Sequence, residues 1–170
     1  MLRPSLAWIL ALVLAATTIA AQELPYNQRP ADVRIVMSTS RGLYDGEYTF
    51  SQVAQVCGEV PKDRNFSGVA EFIVHFPDDA GNGQVTDVSF NSKKLVAGVT
   101  TTTTFHLNVS VHSPKIGSPN AYVLDTEQPK MTGTVTLSTP SPGTTQLKVT
   151  GVNDRGESID LTMTCRPRKS

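Results

Sequence analysis

After its first 21 residues the chain has no tryptophan, only 8 leucines and 6 alanines in 149 residues, and no apolar run long enough to cross a bilayer. The leucine and alanine shortage argues against a helical protein. The missing apolar run excludes a membrane-spanning helix in that region. Charge of one sign is also lacking: 14 basic residues stand against 15 acidic ones once Arg3 is set aside with the leader. A near-neutral chain offers no electrostatic reason to bind nucleic acid or an anionic membrane. The basic stretch Arg166-Pro167-Arg168-Lys169 is short and reads as a solvated tail.

Catalytic signatures are absent as well. There is no G-x-S-x-G elbow, no H-E-x-x-H and no C-x-x-C. Ser, His and Asp all occur, but nothing in their spacing assembles a triad, and no carboxylates converge by sequence logic. No catalytic residue is assigned, and an enzyme is not expected.

What is abundant is β-branched. The same 149 residues hold 18 Thr and 17 Val. These side chains lose rotamer freedom in helices and pack well on pleated sheets. The length suits a single domain with enough chain to bury a core.

Residues 1–21 read as a cleaved secretory signal. Arg3 supplies the positive end, Leu6–Leu14 the short apolar core, and Thr17-Thr18-Ile19-Ala20-Ala21 the small residues before the cut. An uncleaved anchor would need a longer apolar run, about 20 residues. Cleavage is expected after Ala20 or Ala21, and the absence of cysteine there excludes a lipoprotein anchor. The mature chain is expected in a periplasm or outside the cell, with no transmembrane span. Residues 22–31 (QELPYNQRPA) have two prolines and no period, and read as a flexible lead-in to one domain over 32–170.

Only Cys57 and Cys165 are present. In an oxidising compartment an isolated pair forms a disulfide, here one closing about 109 residues. Strand patterns then fill the chain. Val33, Ile35 and Met37 alternate with polar neighbours, and Tyr48 and Phe50 follow an Asp45-Gly46 turn. Phe105, Leu107, Val109 and Val111 share one face, with His106, Asn108, Ser110 and His112 on the other. Met131 to Leu137 alternates with threonines, Asn153-Asp154-Arg155-Gly156 reads as a hairpin turn, and Ile159 to Cys165 points every second residue inward. Ser51 to Val56 is the one place where a helical turn could hide. Seven to nine strands predict an all-β, two-sheet antiparallel β-sandwich, with a small β-barrel as the alternative. An immunoglobulin-like architecture is compatible. Membership in that family is not supported, because the cysteines are too far apart and the core tryptophan is missing.

The sequence offers four kinds of candidate site. His75, His106 and His112 are candidate metal ligands, but six residues of strand put the last two about 20 Å apart, so no metal or other cofactor is assigned. The loop Asp78 to Asp87 offers Asp78, Asp79, Asn82 and Asp87 to calcium, yet Ala80 and Ser89 break the pattern. The sequons at Asn65 and Asn108 would matter only in a eukaryotic secretory path. The fourth is a binding surface formed by His106, Asn108, Ser110 and His112, continued by Lys115 and Tyr122 beyond a Pro/Gly loop. Thr100 to Thr104 adds a polar edge strand that a partner strand could extend. The expected function is therefore an exported non-enzymatic domain contacting a protein or envelope component. A periplasmic small-ligand or metal carrier is the first alternative, a divergent hydrolase the second.

Overall fold

The computed structural model describes residues 28–167 apart from 43, 60–71, 77–83, 93–94, 102–103 and 113–118. The leader, most of the lead-in, the Asn65 sequon, Asp78, Asp79, Asn82 and Lys115 lie outside the described residues.

Among the described residues eleven strands follow one another: β1 (Arg29–Ser38), β2 (Gly46–Ala54), β3 (Val56–Glu59), β4 (Phe72–His75), β5 (Val85–Ser92), β6 (Thr100–Thr101), β7 (Phe105–His112), β8 (Pro119–Asp125), β9 (Thr132–Ser138), β10 (Thr145–Val152) and β11 (Ser158–Cys165). They form a six-stranded sheet, β2-β1-β11-β10-β9-β6, and a five-stranded sheet, β3-β4-β5-β7-β8. All pairings between these strands are antiparallel. Neither sheet closes on itself, so the fold is a sandwich and not a barrel.

The strand count exceeds the expected seven to nine for two reasons. One long strand bends at Gln55 into β2 and β3, which lie in different sheets, and β6 is only two residues long. Ser51 to Val56 is accordingly strand and bend, with no helix. The lead-in is also shorter than expected: Arg29, Pro30 and Ala31 belong to β1, and Ala31 is buried opposite Cys165. Pro30 does not break the strand, because its carbonyl accepts a 2.8 Å bond from Arg166 N–H and Arg29 Nε, at 3.1 Å from Arg166 O, supplies the donor that proline lacks. The first hairpin turn spans residues 39–45, with Asp45 accepting from the Thr39 amide and hydroxyl.

Alternation governs burial. On β7 and β11 every second residue is buried, and the two inner faces meet in one apolar cluster running from Ala31 to Cys165. Phe50 packs edge-on against Phe76 across the sheets, with ring centroids 5.4 Å apart.

A covalent tie between the sheets stands at one end of β11, and a polar cluster within the six-stranded sheet at the other. At its end, Cys165 is bonded to Cys57 on the edge strand β3, with Cα atoms 6.5 Å apart. Immunoglobulin domains bridge inner strands of both sheets, so the likeness stops at the sandwich. The Arg29 guanidinium closes the same corner, donating to the carbonyls of Cys165 and Arg166 and to Thr145 Oγ1. At the start of β11, the expected hairpin turn is present, with Gly156 at φ 74° and its amide bonded to Asn153 O. Glu157 is buried beside it. Asn153 Nδ2 and Arg155 Nη2 reach one of its carboxylate oxygens at 2.9 and 2.7 Å, and Ser40 Oγ donates to the other at 3.2 Å. A buried carboxylate is tolerable only when so satisfied.

Candidate functional site

The outward face of the five-stranded sheet gathers most of the residues singled out from the sequence. Because Phe105, Leu107, Val109 and Val111 are buried, His106, Asn108, Ser110 and His112 project to the opposite side of β7. β7 lies between β5 and β8, so the register ranks its side chains with others remote in sequence. Asn91, His106 and Asp125 stand side by side; Ser89, Asn108 and Val123 form the next rank, and Asp87, Ser110 and Ala121 the third. His75 occupies the position on β4 opposite Ser89. Asn108 Nδ2 donates to Asp87 Oδ2, which fixes the amide within the sheet and makes Asn108 a poor glycan acceptor.

A depression of about 180 Å³ opens at the His106 end of this face. Asn91, Ser92, Thr104, His106, Asp125 and Glu127 line it. Two carboxylates beside one imidazole give it an acidic character, suited to a cationic or hydrogen-bond-donating group. His112 lies at the far end of the strand, so the two β7 histidines do not share a site. Among the described residues no group of three or more His, Cys, Asp or Glu side chains converges to hold a metal ion.

Asp125, Glu127 and Asn91 were not among the expected site residues. No local pattern marks them, because strand pairing brings Asn91 and Asp125 to His106, and Glu127 follows in the turn after β8, where its amide donates to Asp125 Oδ1 at 3.0 Å.

Tyr122 is a correction. It is 1% exposed and belongs to the core, not to the surface. Strand parity is the reason: Tyr122 and Leu124 point inward on β8, while Ala121 and Val123 point out. Its hydroxyl lies 3.3 Å from Gly151 O and 3.2 Å from Glu157 O, tying the edge of one sheet to the β10–β11 hairpin of the other. Burial, and after it the nearby Glu157 carboxylate, pushes this phenol well above its ordinary value of 10.0.

A testable consequence follows for alkaline stability. The unfolded phenol ionises near pH 10 and the folded one higher, so this contribution is fully present below pH 10 and falls as pH rises beyond it. Tyr122→Phe is expected to cost about 1 kcal/mol at neutral pH through the lost hydroxyl bonds. It should also flatten the decline in urea midpoint between neutral pH and about pH 11. An unchanged decline would assign the alkaline sensitivity to other groups.

The outer face of the six-stranded sheet is broader and carries mostly hydroxyls. Thr134 and Thr150 bond to each other there at 2.9 Å, and Thr100 and Thr136 at 2.7 Å. Two shallow concavities of about 480 and 620 Å³ lie on it, the first beside Asp32, Arg34 and Thr162, the second beside Thr134, Thr150 and Asp160. Its ion pairs, Arg34 with Glu47 and Arg166 with Asp32, are half exposed and contribute little to stability. No helix among the described residues is long and apolar enough to cross a membrane.

No protein-family model matches the chain, and no match arises among curated proteins or solved structures.

Proposed function

We propose that this chain is an exported domain, periplasmic or secreted after loss of residues 1–21, that binds a protein or envelope component and performs no catalysis. The observation that carries this reading is the acidic depression at His106, Asp125 and Glu127, set into a polar sheet face. The strands beneath that face are held by a packed core and by a covalent tie between the sheets. Rigid support of this kind lowers the entropy cost of recognition. A disulfide between Cys57 and Cys165 fits an oxidising compartment. The acidity of the depression favours a partner that presents an exposed lysine or arginine.

The test is capture from the native envelope or secretome by the immobilised mature domain, run beside the double variant His106→Ala/Asp125→Ala. These two side chains are partly exposed, so the variant should fold. A partner held by the native domain and weakened about tenfold or more by the variant is the expected result. Equal retention by both would remove the depression from the interface, and no specific capture by the native domain would remove the reading itself.

A further inference from the structure

A sheet edge is a row of unpaired backbone groups, and among the described residues the sandwich has four of them: β2, β6, β3 and β8. Three are short or partly capped. On β8, Arg155 Nη2 donates to Ala121 O at 3.1 Å, the Asp125 amide donates to Met131 Sδ at 3.1 Å and Gln128 N–H donates to Asp125 O at 2.9 Å, so three of its outward groups are occupied. β6 spans two residues and β3 four. β2 differs: it is nine residues long and pairs with β1 without a register shift.

The outward groups of β2 can be identified from hydrogen bonding. Arg166 N–H donates to Pro30 O, so Pro30 and the even-numbered residues of β1 turn their backbone groups toward β11. The odd-numbered residues of β1 therefore bond to the even-numbered residues of β2 opposite them. On β2 this leaves Glu47, Thr49, Ser51 and Val53 with both N–H and C=O directed away from the sheet. Among the described residues nothing bonds to these groups. The edge carries neither proline nor lysine, the usual protections of an exposed strand.

We propose that β2 is a homodimerisation edge, on which β2 of a second copy pairs antiparallel to join two six-stranded sheets into one. The strand is self-complementary for this. Full overlap of Gly46–Ala54 with its mate places the twofold axis at Phe50, sets Glu47 opposite the partner's Val53 and Thr49 opposite the partner's Ser51, and opposes no like charges. The outward groups then exchange about eight hydrogen bonds, two for each facing pair. Phe50 meets the partner's Phe50 on the inner face, where an aromatic cross-strand pair adds contact. The arrangement also stops at two copies, because each dimer uses both β2 edges and leaves only the short or partly capped ones.

The experiment is analytical ultracentrifugation of the mature domain across concentration, with amide hydrogen exchange measured at the same concentrations. The expected result is a monomer–dimer equilibrium in which the amides of Glu47, Thr49, Ser51 and Val53 slow as the dimer forms. Thr49→Pro removes one outward donor without touching the bonds to β1, and should weaken the dimer about tenfold or more. Thr49→Lys, which places charge at the edge, should do the same with no backbone change. A monomer at all concentrations up to about millimolar would overturn the proposal. So would a dimer whose β2 amides exchange at the monomer's rate.

Discussion

Removal of the Cys57–Cys165 bond, by paired alanine substitution, is expected to lower the unfolding free energy by about 5 kcal/mol. The bond joins residues 108 apart, and the loop-entropy cost of so long a closure in the unfolded chain comes to about that value. Domains of this size are stable by only about 5–15 kcal/mol, so the loss takes a third or more of the total. Alanine is the better replacement because both sites are buried, at 2% and 1% exposure, and a serine hydroxyl there would need a partner. Urea unfolding of the two forms measures the effect. The midpoint should fall sharply and the denaturant slope should rise, since the unfolded chain without its cross-link exposes more surface. A loss under about 1 kcal/mol would mean that the unfolded ensemble is already held compact without the bond.

Gly151→Ala is expected to cost about 2–3 kcal/mol, at the upper end for overpacking. Gly151 pairs with Gly133 across β10 and β9, on the inner face of the six-stranded sheet. The absence of two side chains there makes a notch that Leu124 of β8 and Phe105 of β7 fill. A β-carbon at position 151 would meet Leu124 Cδ2 and lie 2.7 Å from Thr132 O. One at position 133 would lie 2.8 Å from the Phe105 ring. The backbone carbonyl cannot give way as a side chain can, so the strand itself must shift. Combining Gly151→Ala with Leu124→Ala separates the two obstacles. If the leucine is the main one, the double variant should lose less than the sum of the single losses. Strict additivity would place the cost on the Thr132 carbonyl alone.

Much of the fold could be read along the chain because a strand's period is two. Phe105 to Val111 and Ile159 to Cys165 declare their inner faces by alternation, and the same pattern turns Cys165 inward to meet Cys57. The Asn153–Gly156 turn was legible for a local reason, since glycine tolerates the positive φ that the turn requires. Where local signals conflicted, the reading failed. Pro30 suggests an end to structure, yet its carbonyl accepts from Arg166 and the neighbouring Arg29 Nε supplies the donor it lacks. Tyr122 follows a loop rich in Pro and Gly, which suggests the surface, although its alternation with Leu124 points inward.

Composition and periodicity therefore determined the all-β class, the outward row His106, Asn108, Ser110 and His112, and the single cysteine pairing available. These properties depend on each residue's neighbours in sequence or on there being no other thiol. Tertiary structure decided which strands lie beside one another. That choice brought Asp125 and Asn91 to His106 and matched Gly133 with Gly151. Among the described residues it also left β2 open while side chains capped part of β8. Strand order is set by how two twisted faces pack and by which crossovers the chain can make, and neither is written in a period of two.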